Sequence, residues 1–341
     1  MRIATKLKSG TLFALLLALQ VAPANASSLF DDDEVIDIDL IGPISTVIDD
    51  TKNREERPFI LRAFGIDHAV QVRMRGKSRS RVCSFPPLRL RFEEGEAHQT
   101  VFDEQTKLKL VTHCRNSNSY QVDALQEYAA YKIFSLLSDV SYRVRLLRVN
   151  YVDSESTSKK KNVERYAFFI ESDTELATRV GAQPVEATGV SLRTLDSRQA
   201  ATVYVFQYLI GNTDWSMVMA DEDDKCCHNG DLFDIGSALY YVPYDFDLSG
   251  LANPRYASPD PSLRISRVTQ RLYRGYCISV DSLKEALGEV KAKENDILDV
   301  VGQLPGLSQK EVDSSNRYLD QFFDRAIDAE KLVKSFDRNC L

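Results

Sequence analysis

The sequence predicts an α+β protein built in two lobes, and three observations predict it. Between residues 58 and 175, short runs alternate apolar with polar side chains, the period of a sheet with one buried face. One helix-period segment, 120–137, interrupts those runs with Val122, Leu125, Ala129, Phe134 and Leu137 at helical spacing. From 176 to 341 the long patterns are helical, at 196–210, 280–301 and 308–336. The expectation is a small, antiparallel, β-rich first lobe with one helix (58–175) and a mainly helical second lobe (176–341).

The chain opens with basic residues Arg2, Lys6 and Lys8, an apolar run over 11–22 and the small-residue site Ala24-Asn25-Ala26. That order reads as a cleavable secretory signal over 1–26, and the apolar run is short for a membrane-spanning helix of about 20 residues. The expected product is exported, periplasmic or secreted, with no membrane anchor after cleavage following Ala26. Residues 27–57 read as a polar, acidic leader carrying Asp31, Asp32, Asp33 and Glu34, with one apolar strand candidate at 35–41. Strand patterns follow at 69–74, 88–92 and 108–112, then the 120–137 helix, then strands at 143–151 and 165–170 around a polar loop, 153–164. The helix at 196–210 opens on an Asp or Ser cap, and a long irregular stretch, 211–277, separates it from the last helices. Irregular segments of that length inside a domain are usually functional.

Removing 1–26 takes away three positive charges and no negative one, moving the formal net charge from −7 to about −10. Such a chain has little general attraction for nucleic-acid phosphates. All six cysteines follow the signal, an even count in an oxidising destination, which favours disulfides. Cys83 with Cys114 and Cys277 with Cys340 are the suggested pairs. Cys226-Cys227-His228, perhaps with His113-Cys114, also invites a zinc reading, but without the paired spacing of a zinc finger. Arg264, Arg267, Arg271 and Arg274 would form a basic stripe on a helix. That stripe is either paired with the acidic surface or a docking site for an acidic or phosphorylated protein partner.

Two Asp-bearing segments carry the candidate chemistry. In Leu209-Ile-Gly-Asn-Thr-Asp-Trp215 a helix ends and delivers Asp214 into a loop; in Tyr240-Tyr-Val-Pro-Tyr-Asp-Phe-Asp-Leu-Ser-Gly250 a strand ends and delivers Asp245 and Asp247. The bland reading is a helix stop and a turn former. With Arg75-Gly-Lys-Ser-Arg-Ser80 and Tyr166-Ala-Phe-Phe-Ile-Glu171 ahead of them, these segments resemble, in order, the atypical kinases of the spore-coat CotH family and, more distantly, the HipA-like kinases. The resemblance covers roughly 69–250.

It implies a two-lobed kinase-like fold binding ATP with Mg2+ or Mn2+ between the lobes. By resemblance Asp214 orients the attacking hydroxyl and Asp245 holds metal. Asp247 faces the same side as Asp245 along an extended backbone and is a second candidate ligand. Kinases carry an Asn about five residues after the catalytic Asp; Met219 stands there, and Asn229 is the expected replacement. Glu127 is the natural acid to pair with a phosphate-binding cation, for which Lys77 in the Arg75-Gly76-Lys77 turn competes with Arg89 and Arg91 on a strand. Glu171 marks the hinge. There is no Gly-x-Gly-x-x-Gly loop and no Walker sequence. The expected function is phosphorylation of a hydroxyl on an envelope or secreted protein. The alternatives are a catalytically inactive binding or envelope-assembly module and a metal-dependent phosphohydrolase.

Overall fold

In a computed structural model, residues 28–156, 162–220 and 226–341 are described. The expected secretory signal (1–26), the tip of the 153–164 loop and the acidic residues Asp221 to Asp224 lie outside these residues.

Seven strands close a barrel in the order β1-β2-β3-β4-β5-β7-β6. They are β1 (Ile36–Gly42), β2 (Arg57–Ala63), β3 (Ile66–Met74), β4 (Leu88–Phe92), β5 (Lys107–Val111), β6 (Val144–Asp153) and β7 (Asn162–Ile170). Neighbours are antiparallel except at the seam, where β1 runs parallel to β6, setting Ile36 beside Leu147. Alternation fills the interior, as with Ile38, Leu61, Val72, Leu90, Leu108 and Val149, all buried. Two short helices, α1 (Ile44–Asp49) and α2 (Arg79–Val82), ride on the barrel.

The outer faces of β6 and β7 are buried too, because Val144, Leu146, Phe168 and Ile170 join a second core with α3 (Asn118–Leu137). Around that core lie α4 (Asp173–Val180), α5 (Ser197–Ile210), α6 (Val280–Ala292), α7 (Glu294–Gly302), α8 (Gln309–Ala326) and α9 (Ala329–Arg338). Every residue of α5 from Gln199 to Ile210 is buried, so α5 is the axis of this half. A small antiparallel sheet, β8 (Gln183–Val185), β9 (Gly230–Ile235) and β10 (Ala238–Pro243), completes it.

This architecture corrects the two-lobed kinase-like expectation. A closed, mixed, seven-strand barrel stands where a small antiparallel sheet was expected, with a second small sheet and nine helices among the described residues. Period-two alternation is the same in an open sheet and a barrel, and closure depends on a parallel partner far along the chain. The acidic leader supplies that closing strand. Its carboxylates hold the barrel's flank: Asp31 meets Arg143 at 2.7 Å, Asp33 meets Lys132 at 2.6 Å and Asp37 meets Arg148 at 2.6 Å. The two long helical patterns each break once, the second where the Asp328 carboxylate accepts from Lys331 N (3.0 Å) and starts a new helix.

Three disulfides are present: Cys83–Cys114, Cys277–Cys340 and the neighbouring pair Cys226–Cys227. They are compatible with an exported protein. Among the described residues no helix is long and apolar enough to cross a membrane. The zinc reading is corrected by the same bonds. His113 is buried, its ring packed at a tilt against Phe85 and Tyr151.

Candidate functional site

The site begins at the turn after β3. Gly76 takes φ +90°, a left-handed turn conformation that glycine adopts without strain, and swings the chain into α2. The one-turn helix buries Arg79 and leaves Lys77 exposed. Arg79 makes a bidentate pair with Glu127 of α3, at 2.8 and 3.0 Å. Its Nη2 also donates to Asp245, and its Nε lies 3.3 Å from Asp247. Tyr131 of α3 accepts the Asp245 backbone N–H (2.9 Å), and Tyr256 donates to Asp247 (2.8 Å).

Three carboxyl groups around one guanidinium cannot all be charged at no cost. Burial works to raise Asp245, but Arg79 and then Arg75 outweigh it and hold this carboxyl below its ordinary value. Burial, with Asp245 and Glu127 adding to it, drives Asp247 well above the carboxylate range. Burial raises Glu127 as well, against the pull of Arg79. Burial and the neighbouring charges thus push Asp245 and Asp247 in opposite directions. Asp245 also lines a cavity of about 140 Å³ with Arg75, Arg79, Lys109, Tyr142 and Asp231.

A second cluster lies one peptide away. Gly211 ends α5 at φ +66°, and Asn212 Oδ1 then accepts the Asp214 N–H (2.9 Å). The Asp214 carboxylate takes hydrogen bonds from Asn229 Nδ2 (2.9 Å) and pairs with His228 Nε2 (2.9 Å). The Asn229 carbonyl accepts from Tyr244 N (3.0 Å), the residue before Asp245, which links the two clusters. Asp214 and His228 line a larger cavity of about 520 Å³ with Trp215, Met219 and Arg274. Family models and curated proteins return no match to this chain.

The sequence-based candidates therefore fall into three groups. Glu127, Asp245 and Asp247 meet at Arg79, while Asn229 joins Asp214. Arg75 lines the smaller cavity and Arg89 lies on the outer face of β4. Gly76 shapes the turn. Lys77 is exposed there and does not reach Glu127, whose partner is Arg79. Glu171 is not open to a ligand: it is buried, bound twice by Arg179 (2.9 and 2.8 Å) and accepts the Arg143 N–H (3.0 Å).

The arginine stripe is also corrected. Residues 254–279 form no helix, so Arg264, Arg267, Arg271 and Arg274 share no face. Arg271 instead reaches the C-terminal carbonyls of α5, with Nε 3.2 Å from Leu209 O, and stacks on Tyr318 at 3.9 Å.

A divalent metal was expected on Asp245, Asp247 and Asn229. Asp247 is held by Arg79 and Tyr256, Asn229 is held by Asp214, and a guanidinium stands among the carboxylates. Among the described residues no group of three His, Cys, Asp or Glu side chains is arranged to hold a metal ion. This arrangement does not fit a metal ion. The cations Arg75, Arg79 and Lys109 do fit an anion at the 140 Å³ cavity.

Arg79 and Lys109 were missed as site residues. Arg79 lies within the 75–80 motif, and the alternation of 107–110 marks Lys109 as outward-facing.

Proposed function

We propose that this chain is an exported protein that binds a nucleotide or another phosphate compound at the Arg75, Arg79 and Lys109 cavity, with Asp214 orienting a hydroxyl for phosphoryl transfer. One observation carries the reading: Arg79, Glu127 and Asp245, from three distant segments, meet, and the backbone bond from Tyr244 to Asn229 ties them to the Asp214–Asn229 pair. Phosphoryl transfer asks for positioned cations on the phosphates and a carboxylate on the attacking hydroxyl, and both are available here. The motif order shared with CotH-like kinases supports the same chemistry. The signal over 1–26 and the three disulfides support release into the periplasm or outside the cell after Ala26. In that compartment the phosphate donor must come from an external supply or be loaded before export.

The test is incorporation of labelled phosphate from ATP into a hydroxyl-bearing envelope fraction, by wild type and Asp214→Ala. A positioned base contributes roughly 10²–10⁴-fold, so the variant is expected to lose at least about 100-fold. Equal incorporation by the two sinks the transfer step.

A second reading is a binding or envelope-assembly module that holds a phosphate compound without turning it over. The Arg79 clamp on both Asp245 and Asp247 favours it. A phosphate-dependent rise in unfolding temperature without any incorporation would select this reading. A metal-dependent phosphohydrolase would first require Asp245 and Asp247 to leave Arg79.

A further inference from the structure

The outer face of the barrel beside the smaller cavity carries two further cations, Arg73 and Arg89, that the reading above leaves without a task. Alternation buries Val72, Leu90 and Leu108 and turns Arg73, Arg89 and Lys109 outward. The register sets Arg73 opposite Arg89 and Arg89 opposite Lys109. At a strand spacing of about 4.8 Å, the three cations cross roughly 10 Å of surface. Arg75, two residues past Arg73, ends the row at the cavity wall.

Like charges directly opposite on neighbouring strands cost stability. Here the protein's own carboxylates offset little of that cost. Arg73 donates to a backbone carbonyl, Met74 O, at 3.2 Å. Among the described residues the side chains of Arg75 and Arg89 make no hydrogen bond or ion pair. Lys109 pairs with Asp173 at 3.3 Å, while Arg75 and Arg73 feel Asp245 and Glu56 without forming an ion pair with them. Burial, and then Arg79, disfavours the charge on Arg75; burial, and then Arg89, disfavours that on Arg73. These cations are short of counter-charge in a protein whose overall formal charge is −7.

We propose that the row Arg73, Arg89, Lys109 and the cavity at Arg75 form one site for a chain of two or more phosphate groups, bound without a divalent ion. The inference rests on the phosphate reading above and adds the ligand's length and its independence of metal. A single phosphate spans one or two of these side chains, whereas a linear phosphate chain follows the row. Guanidinium groups pair with phosphate oxygens through two parallel hydrogen bonds, which supplies both charge and direction. The carboxylates that a metal would need are engaged by Arg79. Nucleoside polyphosphates and inorganic polyphosphate share this chemistry.

The experiment is thermal unfolding of the full exported chain in EDTA, at constant ionic strength, with tripolyphosphate, ATP, AMP or orthophosphate. Tripolyphosphate and ATP are expected to raise the unfolding temperature, and AMP and orthophosphate at equal concentration are not. A larger shift with ATP than with tripolyphosphate identifies a nucleotide; equal shifts identify the phosphate chain itself. Arg89→Ala, on an outward position, should fold with an unliganded melting temperature no lower than wild type and bind tripolyphosphate at least tenfold more weakly.

Equal binding by wild type and Arg89→Ala overturns the proposal. If Mg2+ with ATP stabilises the protein but tripolyphosphate in EDTA does not, the proposal falls and the phosphate reading survives. If none of these ligands stabilises it, both fall.

Discussion

Asp123 sits on α3 with its Oδ2 buried and without a hydrogen-bond partner among the described residues. Burial raises its pKa to about 7, with Arg255 opposing. The folded state therefore binds this proton more tightly than the unfolded chain does. Its favourable contribution is complete below the unfolded value near 4 and is lost as pH rises toward 7. Asp123→Asn should accordingly stabilise the protein at pH 8 and change little at pH 4, as read from urea midpoints at the two pH values. His113 works in the opposite sense. Burial lowers it to about 3, so it folds neutral, and its contribution, present above the unfolded value near 6.5, is lost as pH falls toward 3. Arg79 shows where residue types stop being informative. The 75–80 motif contains Arg75, Lys77 and Arg79, and spacing alone does not say which of them turns toward Glu127. The one-turn helix α2 makes that choice, and four residues are too few to show a period.

The end of α5 controls the loop that carries Asp214. Gly211 has φ +66°, and a Cβ there would lie 1.9 Å from the Tyr318 hydroxyl. Gly211→Ala should cost about 1–3 kcal/mol from the backbone conformation alone, and more from the contact, in urea unfolding. It should also lower any Asp214-dependent activity more than it lowers that of a mixture corrected for unfolded protein. Elements with strong local periodicity were legible in the sequence: β4 occupies Leu88–Phe92 as the alternation of 88–92 requires, and α3 ends at Leu137. The segment after 250 was not. Its arginines at three- and four-residue intervals imitate a helix, but the backbone is irregular from 254 to 279 and Arg271 is drawn to the α5 carbonyls. Of the candidate site, the Asp214 and Asp245 segments were legible because helix and strand ends carry local signals. The Arg79 hub was not, because it is assembled from residues 79, 127, 245 and 247 across two cores.

The disulfide Cys83–Cys114 ties α2, and with it Arg79, to the segment between β5 and α3, closing a loop of 31 positions. Loop-closure entropy of that length is worth about 3–4 kcal/mol. The double substitution Cys83→Ser and Cys114→Ser should lower the unfolding free energy by that order in guanidinium titrations, and it should weaken phosphate-ligand binding beyond the loss of folded protein. A variant lacking Cys277–Cys340 instead loosens the far end of α9, away from the cations, and serves as the comparison. The barrel seam has its own consequence for how the chain comes together. Asp37 of β1 bonds Arg148 of β6, 111 positions away, so no fragment ending before β6 can close the ring. Until β6 and β7 arrive, β1 and β5 present open edges to other chains, and pairing at such long range is slow. A polypeptide that crosses a membrane unfolded meets this requirement naturally, since it completes its ring only on the far side. The same topology predicts that fragments cut between β1 and β6 aggregate where the intact chain folds, as light scattering would show.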